Sequence, residues 1–535
     1  MGDARGHRGS GPREHPPRLW LAVLALSGGL FLSVLSTTVV SVALPSIGRD
    51  LHASHTELEW IVDAYVLVYA SLLVVGRVVG DRWGRKGAFL GGVAIFGLGA
   101  ALTGLAPNIP LLLAGRVVQG VGPALLVPVS LTIIRAIVED PRRRAVAIGV
   151  WSTGSGLALA IGPVLGGAAV DMLGWRWVFL LNLPLTAALL ALAGLTVPRL
   201  APAPAAGRID GLGAVLTTAG AAALAFACIE GQSLGWTAPL VLAALGAGAV
   251  AIAAFVGWER RHRNPLVDMR LFGSQPFTIA NVAALVVFFA FVGSIVYFSA
   301  FFQQVQGRSP VTAGLNVCAI GVAFALAAQL SGRLVARYGA RLPTTTGLIL
   351  SGGAMLGLLR LQPSTGASAI WWNFALLGAG IGLCLAPTSA TVVAAVDAER
   401  AGMASAVHTA VRQLGQVFGV AVLGALVYAR LPAAGSGERY DPAQQRLFVA
   451  GLHNATLICG LALLAAAALA TLLPATASTP DNQVIRLPDQ RPVPATQLVH
   501  NGPLVPRVPP ALGVSPALAW PARPTDRRYY TKTSA

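Results

Sequence analysis

Apolar runs of about 20 residues recur along the whole chain, each bounded by a short polar or charged segment. At about 1.5 Å per residue, each run is long enough to cross a hydrocarbon layer as a single helix. The runs lie near 19–44, 57–79, 87–106, 110–134, 145–170, 175–197, 211–229, 236–257, 277–302, 312–335, 343–360, 370–395, 404–430 and 449–473. Six fall before about 200, two between about 211 and 257, and six after about 277. The pattern predicts an all-α membrane protein of fourteen spans with a central pair inserted between two sets of six. Two of the intervening segments match each other. Gly80–Lys86 reads GDRWGRK and Ala336–Arg341 reads ARYGAR, which sets Asp81 against Ala336, Arg82 against Arg337 and Gly84 against Gly339. A basic, glycine-containing turn that recurs about 255 residues later (336 − 81) is the trace of a duplicated membrane unit.

Composition agrees. Of 535 residues 55% are hydrophobic and only 11% charged, and a mean hydropathy of +0.69 is more than a soluble core can hide. The formal net charge of +17 raises nucleic acid as a partner, but no basic face with interleaved aromatics is visible, so none is expected. The basic residues sit between apolar runs, where membrane topology accounts for them. Arg5, Arg8, Arg13 and Arg18 precede a first run too long, and without the cleavage site, for a signal peptide, so it is expected to be retained as a helix. Lys and Arg favour the N-terminus and alternate loops, among them Arg142–Arg144, Arg260, Arg261 and Arg263. That bias puts both termini on the cytoplasmic side of the plasma membrane. The expected organisation is a basic N-terminus (1–18), a six-helix bundle (19–200), the inserted pair with its linkers (201–275), a second bundle (276–473) and a disordered cytoplasmic tail rich in Pro, Ala and Thr (474–535). Cys228, Cys318, Cys384 and Cys459 fall inside apolar runs without metal-type spacing. Neither a disulfide framework, a metal nor a cofactor is expected.

Against this background the few polar residues inside the runs stand out. Asp63 alone among the acids lies well inside a predicted span, and a carboxylate in hydrocarbon needs either a partner or a proton. The second and fourth spans enter from the same side, and Asp63 and Arg116 each lie about 9 Å deep. They are within reach of one another, as a pair that exchanges a proton or as a static ion pair that holds two helices in register. In the turn after the second span, Gly80 and Gly84 allow a tight reversal. Asp81 lies beside the next helix N-terminus and can pair with Arg82, Arg85 or Lys86. In the fifth span Gly154, Ala158, Gly162 and Gly166 recur every four residues, a stripe along which another helix can approach, with Pro163 bending the helix. His408 and Arg412, four apart on one helix face, can line a cavity, with Asn281, Asn316, Gln329, Asn373, Gln413 and Gln416 in or near spans; a lone histidine is more often hydrogen-bonded packing. The inserted pair offers only Glu230 and Gln232, and lipid-facing packing is its expected role.

Several ordered segments carry a family resemblance: Thr37–Pro45 (TTVVSVALP), Trp60–Tyr65 (WIVDAY), Gly80–Lys86, Gly115–Ala124 (GRVVQGVGPA), Gly162–Gly167 (GPVLGG), Trp175–Pro184 (WRWVFLLNLP) and RQLGQVFGVAVLGA from Arg412. Over about 19–473 the chain resembles the major facilitator superfamily, and within it the fourteen-span drug:proton antiporters. The resemblance implies two six-helix bundles that rock about a central cavity and move small amphipathic drugs or antibiotics out in exchange for protons. It implies a proton relay at Arg116 and Gln119, to which the reading above adds Asp63. It also implies a cytoplasmic gate at Asp81, Arg82, Gly84, Arg85 and Lys86, and an antiporter helix marked by Gly154, Gly162, Pro163, Gly166 and Gly167 at the bundle interface. The chain departs from the family at Arg77, where glycine is usual, and at Ala336, where the second copy lacks its acid. It departs again at Ser36 and Ser41, where aspartate and asparagine are usual. Ser36, Thr38, His408 and Arg412 are the cavity candidates; either Asp63 takes over from the missing acid, or the substrate is neutral or anionic. The expected partners are a small-molecule substrate, protons and the lipid bilayer, with the chain as a monomer. An enzyme would need a nucleophile and base at membrane depth, and Ser155 has no histidine near it in sequence. A ligand sensor, an uptake carrier and an exporter of an endogenous metabolite are the other readings.

Overall fold

The computed structural model describes residues 16–200, 210–262, 265–397, 400–431 and 439–474, and among these fourteen helices are long and apolar enough to cross a membrane. They are α1 (Pro16–Leu51), α2 (His55–Trp83), α3 (Arg85–Gly104), α4 (Ile109–Ile137), α5 (Pro141–Leu173) and α6 (Arg176–Thr196, in two pieces, Arg176–Leu180 and Asn182–Thr196). Next come α7 (Gly211–Ser233), α8 (Pro239–Arg261), and α9 (Gln275–Ala300), which a π-helical turn at Phe301–Val305 prolongs. The last five are α10 (Pro310–Tyr338), α11 (Arg341–Gly357), α12 (Ala367–Ala394), α13 (Ala401–Tyr428) and α14 (Pro442–Ala470). The expected tail from 475 onward and the basic residues 1–15 lie outside the described residues.

Local chemistry sets the helix ends. Ser54, Asn108, Asp140, Asp210, Ser309 and Asp441 each accept a hydrogen bond from a first-turn amide of the helix that follows. The duplicated turn is duplicated in backbone as well as in sequence. Gly84 closes α2 with φ 103° and Gly339 closes α10 with φ 73°, and each amide bonds back four residues, to Gly80 O at 3.2 Å and Val335 O at 2.9 Å. A Cβ at either site would meet the left-handed penalty.

In the first six helices α4 carries α2 and α3, and α5 lies along α1; in the last six α12 carries α10 and α11, α13 lies along α9, and α14 packs on α11. The two sets meet where α5 runs against α10 and α2 against α13. Glycines on α5 allow close approaches on two sides. A Cβ on Gly154 would stand 2.7 Å from Ser27 O and one on Gly166 2.7 Å from Val39 O, both in α1, whereas one on Gly167 would stand 2.6 Å from Val311 Cα in α10. Gly154, Gly162 and Gly166 therefore bind α5 to α1 inside the first bundle, while Gly167 and the carbonyl of Pro163 form the contact with the second. The inserted α7 leans on both α2 and α13, and α8 touches mainly α7. Only 17% of the most apolar stretch of α8 is buried, so its other faces are left to lipid.

Candidate functional site

Between the two bundles lies a cavity of about 310 Å³, in the half that holds the α2–α3 and α4–α5 turns. Its walls are aromatic, with Tyr69, Trp151, Phe288, Phe291 and Phe324, and polar on the α13 side. His408, Arg412 and Gln416 follow at four-residue spacing on α13, which turns all three inward. His408 Nδ1 lies 3.2 Å from Asn281 Oδ1, Gln416 Nε2 donates to Gln413 Oε1 at 2.6 Å, and the Arg412 guanidinium lies 4.2 Å above the Phe288 ring. Of the four cavity candidates, Thr38, His408 and Arg412 line the space and Ser36 does not. Two residues along a helix is a turn of about 200°. Thr38 accordingly faces α5, donating to Ala158 O at 3.3 Å, and Ser36 faces α4, where it accepts from Arg116.

The opposite end is closed by contacts between the bundles. Tyr297 Oη on α9 donates to Val420 O at 2.6 Å and lies 3.4 Å from Glu59 Oε1 on α2. The His55 ring stacks on Tyr428 with centroids 4.0 Å apart. In the π turn, Gln303 Nε2 donates to Val42 O of α1 at 3.0 Å. Asp171 at the end of α5 accepts from the Val311 amide at the start of α10 at 3.0 Å.

The expected Asp63–Arg116 pair is not formed. Arg116 is fully buried and gives Nε to Ile61 O at 2.8 Å, and Nη1 to Ser36 Oγ at 3.0 Å and Gln119 Oε1 at 2.8 Å. Its guanidinium also lies 4.4 Å from the Tyr65 ring centroid. Arg116 and Gln119 are thus brought together and Asp63 is left apart. Equal depth did not imply a shared face: Arg116 reaches α2 at Ile61, and Asp63 lies two residues further round the helix. Asp63 has no exposure, and neither carboxylate oxygen has a hydrogen-bond partner. The sequence reading missed Glu59, one turn before Asp63 on the same face, 3% exposed and with Oε2 unpartnered. It stood at the edge of the apolar run; the signal that could have found it was the four-residue spacing to Asp63.

At the α2–α3 turn Asp81 accepts from Arg85 at 3.1 Å and has Arg77 Nε at 3.8 Å. Of the gate residues, Arg82 is exposed and Lys86 donates instead to Gly194 O at the end of α6, at 2.7 Å. The unusual Arg77 has a use, because its guanidinium lies against Gly402 in the first turn of α13, in the other bundle. In the inserted pair, Glu230 Oε1 accepts from Trp60 Nε1 at 3.2 Å, so α7 is fastened to α2 as well as packed in lipid. The Gln232 side chain lies outside the described residues.

The sequence profile of the Major Facilitator Superfamily matches residues 26–420. The chain is 37% identical over 415 residues to the multidrug resistance protein Stp of Mycobacterium tuberculosis (strain CDC 1551 / Oshkosh), covering 77% of this chain and 76% of that one. It is 32% identical to the tetracenomycin C resistance and export protein of Streptomyces glaucescens, covering 79% and 78%, and 34% identical to the multidrug efflux pump LfrA of Mycolicibacterium smegmatis (strain ATCC 700084 / mc(2)155), covering 77% and 82%. Among solved structures it is similar in fold to a D-xylose-proton symporter, with a TM-score of 0.61 at 15% identity over 85% of this chain and 98% of that one. A bacterial homolog of the human lysosomal transporter Spinster has the same TM-score, at 19% identity over 85% and 97%.

Proposed function

The chain belongs to the major facilitator superfamily, and from that premise we propose that it exports small amphipathic drugs or antibiotics across the plasma membrane in exchange for protons, by alternating access. The relatives named for resistance and efflux support the direction of transport. The observation that carries proton exchange is Asp63, a carboxyl with no exposure and no partner. The two bundles, about 19–200 and 276–473, rock against each other with 201–275 riding on the seam, and both termini face the cytoplasm. With the Glu59–Tyr297 end shut and the cavity open at the other, substrate enters from the cytoplasmic half. Asp63 holds a proton in this arrangement, where a bare charge would cost too much. When the bundles part at the Tyr297 seam, Glu59 and then Asp63 meet water and can exchange protons with the outside. Arg116 and Gln119 brace α2 against α4, so that the carboxyls move with their bundle. The Asp81–Arg77 contact to α13 gates the cytoplasmic end.

The test is Asp63→Asn in reconstituted vesicles, measuring efflux of a dye panel under an imposed pH gradient. We expect proton-driven transport to fall at least about tenfold while exchange of labelled for unlabelled substrate, which needs no proton, continues. Undiminished proton-driven transport overturns the role of Asp63.

A further inference from the structure

Arg412 is a cation in the cavity wall with no counter-ion. Among the described residues no carboxylate lies within ion-pair range of it, its Nε is buried without a partner, and its neighbours are the face of Phe288 at 4.2 Å and Tyr69, near enough to feel its charge. Three guanidiniums near helix ends do have carboxylate partners: Arg85 with Asp81, Arg176 with Asp50 and Arg400 with Asp268. Arg116, fully buried, gives Nε and Nη1 to three acceptors and leaves only Nη2 without one. No Asp or Glu is found among the described residues lining the cavity, whereas Arg135 lines it too, with Arg77 and Arg144 near enough for their charges to act on it. The buried acids Glu59 and Asp63 lie outside this lining. The described lining therefore carries positive charge and no negative charge.

We propose that Arg412 anchors the acidic group of the substrate, so that the compounds carried are aromatic anions: carboxylates, sulfonates or acidic phenols. This deepens the export reading and rests on it. The planar guanidinium offers two parallel donors to a carboxylate or sulfonate. Phe291 and Phe324, with ring centroids 5.8 Å apart, supply the apolar bed for one or two rings. At about 310 Å³ the cavity falls within the range that holds a small organic ligand. The positive mouth around Arg135 raises the local concentration of anions.

The experiment uses the full chain in nanodiscs of zwitterionic lipid and three probes that share one ring system: 2-naphthoate, 2-naphthamide and (2-naphthyl)trimethylammonium. Calorimetric titration against empty nanodiscs should give naphthoate binding at least about tenfold tighter than the ammonium compound. Arg412→Gln should weaken naphthoate about tenfold and erase its advantage over naphthamide, with Arg412→Lys in between because it keeps the charge and loses the fork. An unchanged elution profile and melting temperature show that the variants are folded. The proposal is overturned if the ammonium compound binds as tightly as naphthoate, if Arg412→Gln leaves naphthoate within twofold, or if none of the probes binds the unsubstituted chain. Proton-driven efflux that persists without any charge preference sinks this proposal and leaves the export reading standing. Absent efflux with the charge preference intact does the reverse.

Discussion

Arg116 gives Nε and Nη1 to Ile61 O, Ser36 and Gln119, while Asp63 has no bonds to lose, and the two should therefore respond differently to substitution. Arg116→Gln leaves Ile61 O and Ser36 short of a charged donor inside the bundle and should destabilise the protein by about 2–3 kcal/mol. In a detergent melt this appears as a clear fall in midpoint. Asp63→Asn removes no bond and should shift the midpoint little. Equal losses from both variants would mean that the two side chains do pair. Asp63 was legible in the sequence because an acid inside an apolar run has few structural excuses. Its partner was not, since hydropathy reports depth in the membrane and says little about the direction a side chain faces. Glu59 was lost for a related reason: α2 begins at His55, earlier than its apolar run, so a residue at the margin of the run lies deep in the packed helix.

At the scale of the element, α5 depends on having almost no side chain where it crosses α1. Gly162 faces Thr38 and Gly166 faces Val39, and Thr38 donates to the α5 backbone at Ala158. Gly162→Val should force the helices apart and cost about 1–3 kcal/mol, measurable as reduced thermal stability, with loss of the Thr38 contact. A variant as stable as the parent would show that the approach is loose. The stripe was readable from its four-residue period. Which helix it met was not, because one face of α5 serves α1 and the neighbouring face serves α10. The fourteen spans were also readable, since each must satisfy its own backbone in lipid. The break in α6 at Leu181 was marked too, by Pro184, which has no N–H to give to Leu180 O and whose ring crowds that carbonyl.

The whole molecule is held shut at one end by contacts between bundles, and Asp171 is the clearest of them, a carboxylate seated on the first turn of α10. Asp171→Ala removes both the hydrogen bond and the favourable charge at that helix start, worth together about 1 kcal/mol, or roughly a fivefold shift toward opening at that end. With the native cysteines replaced and a reporter cysteine placed at Ser41, which lies inside the closure, maleimide labelling should speed up by about that factor. An unchanged rate would mean that Asp171 does not help to hold this end closed.

The unpaired guanidinium of the cavity has an energetic corollary. If each cycle sends one anion outward and brings one proton inward, two elementary charges cross the membrane in the direction favoured by an inside-negative voltage. At about 100 mV that supplies about 4.6 kcal/mol per turnover. Such a carrier is electrogenic, and a potassium diffusion potential alone, with no pH difference, would suffice to drive it.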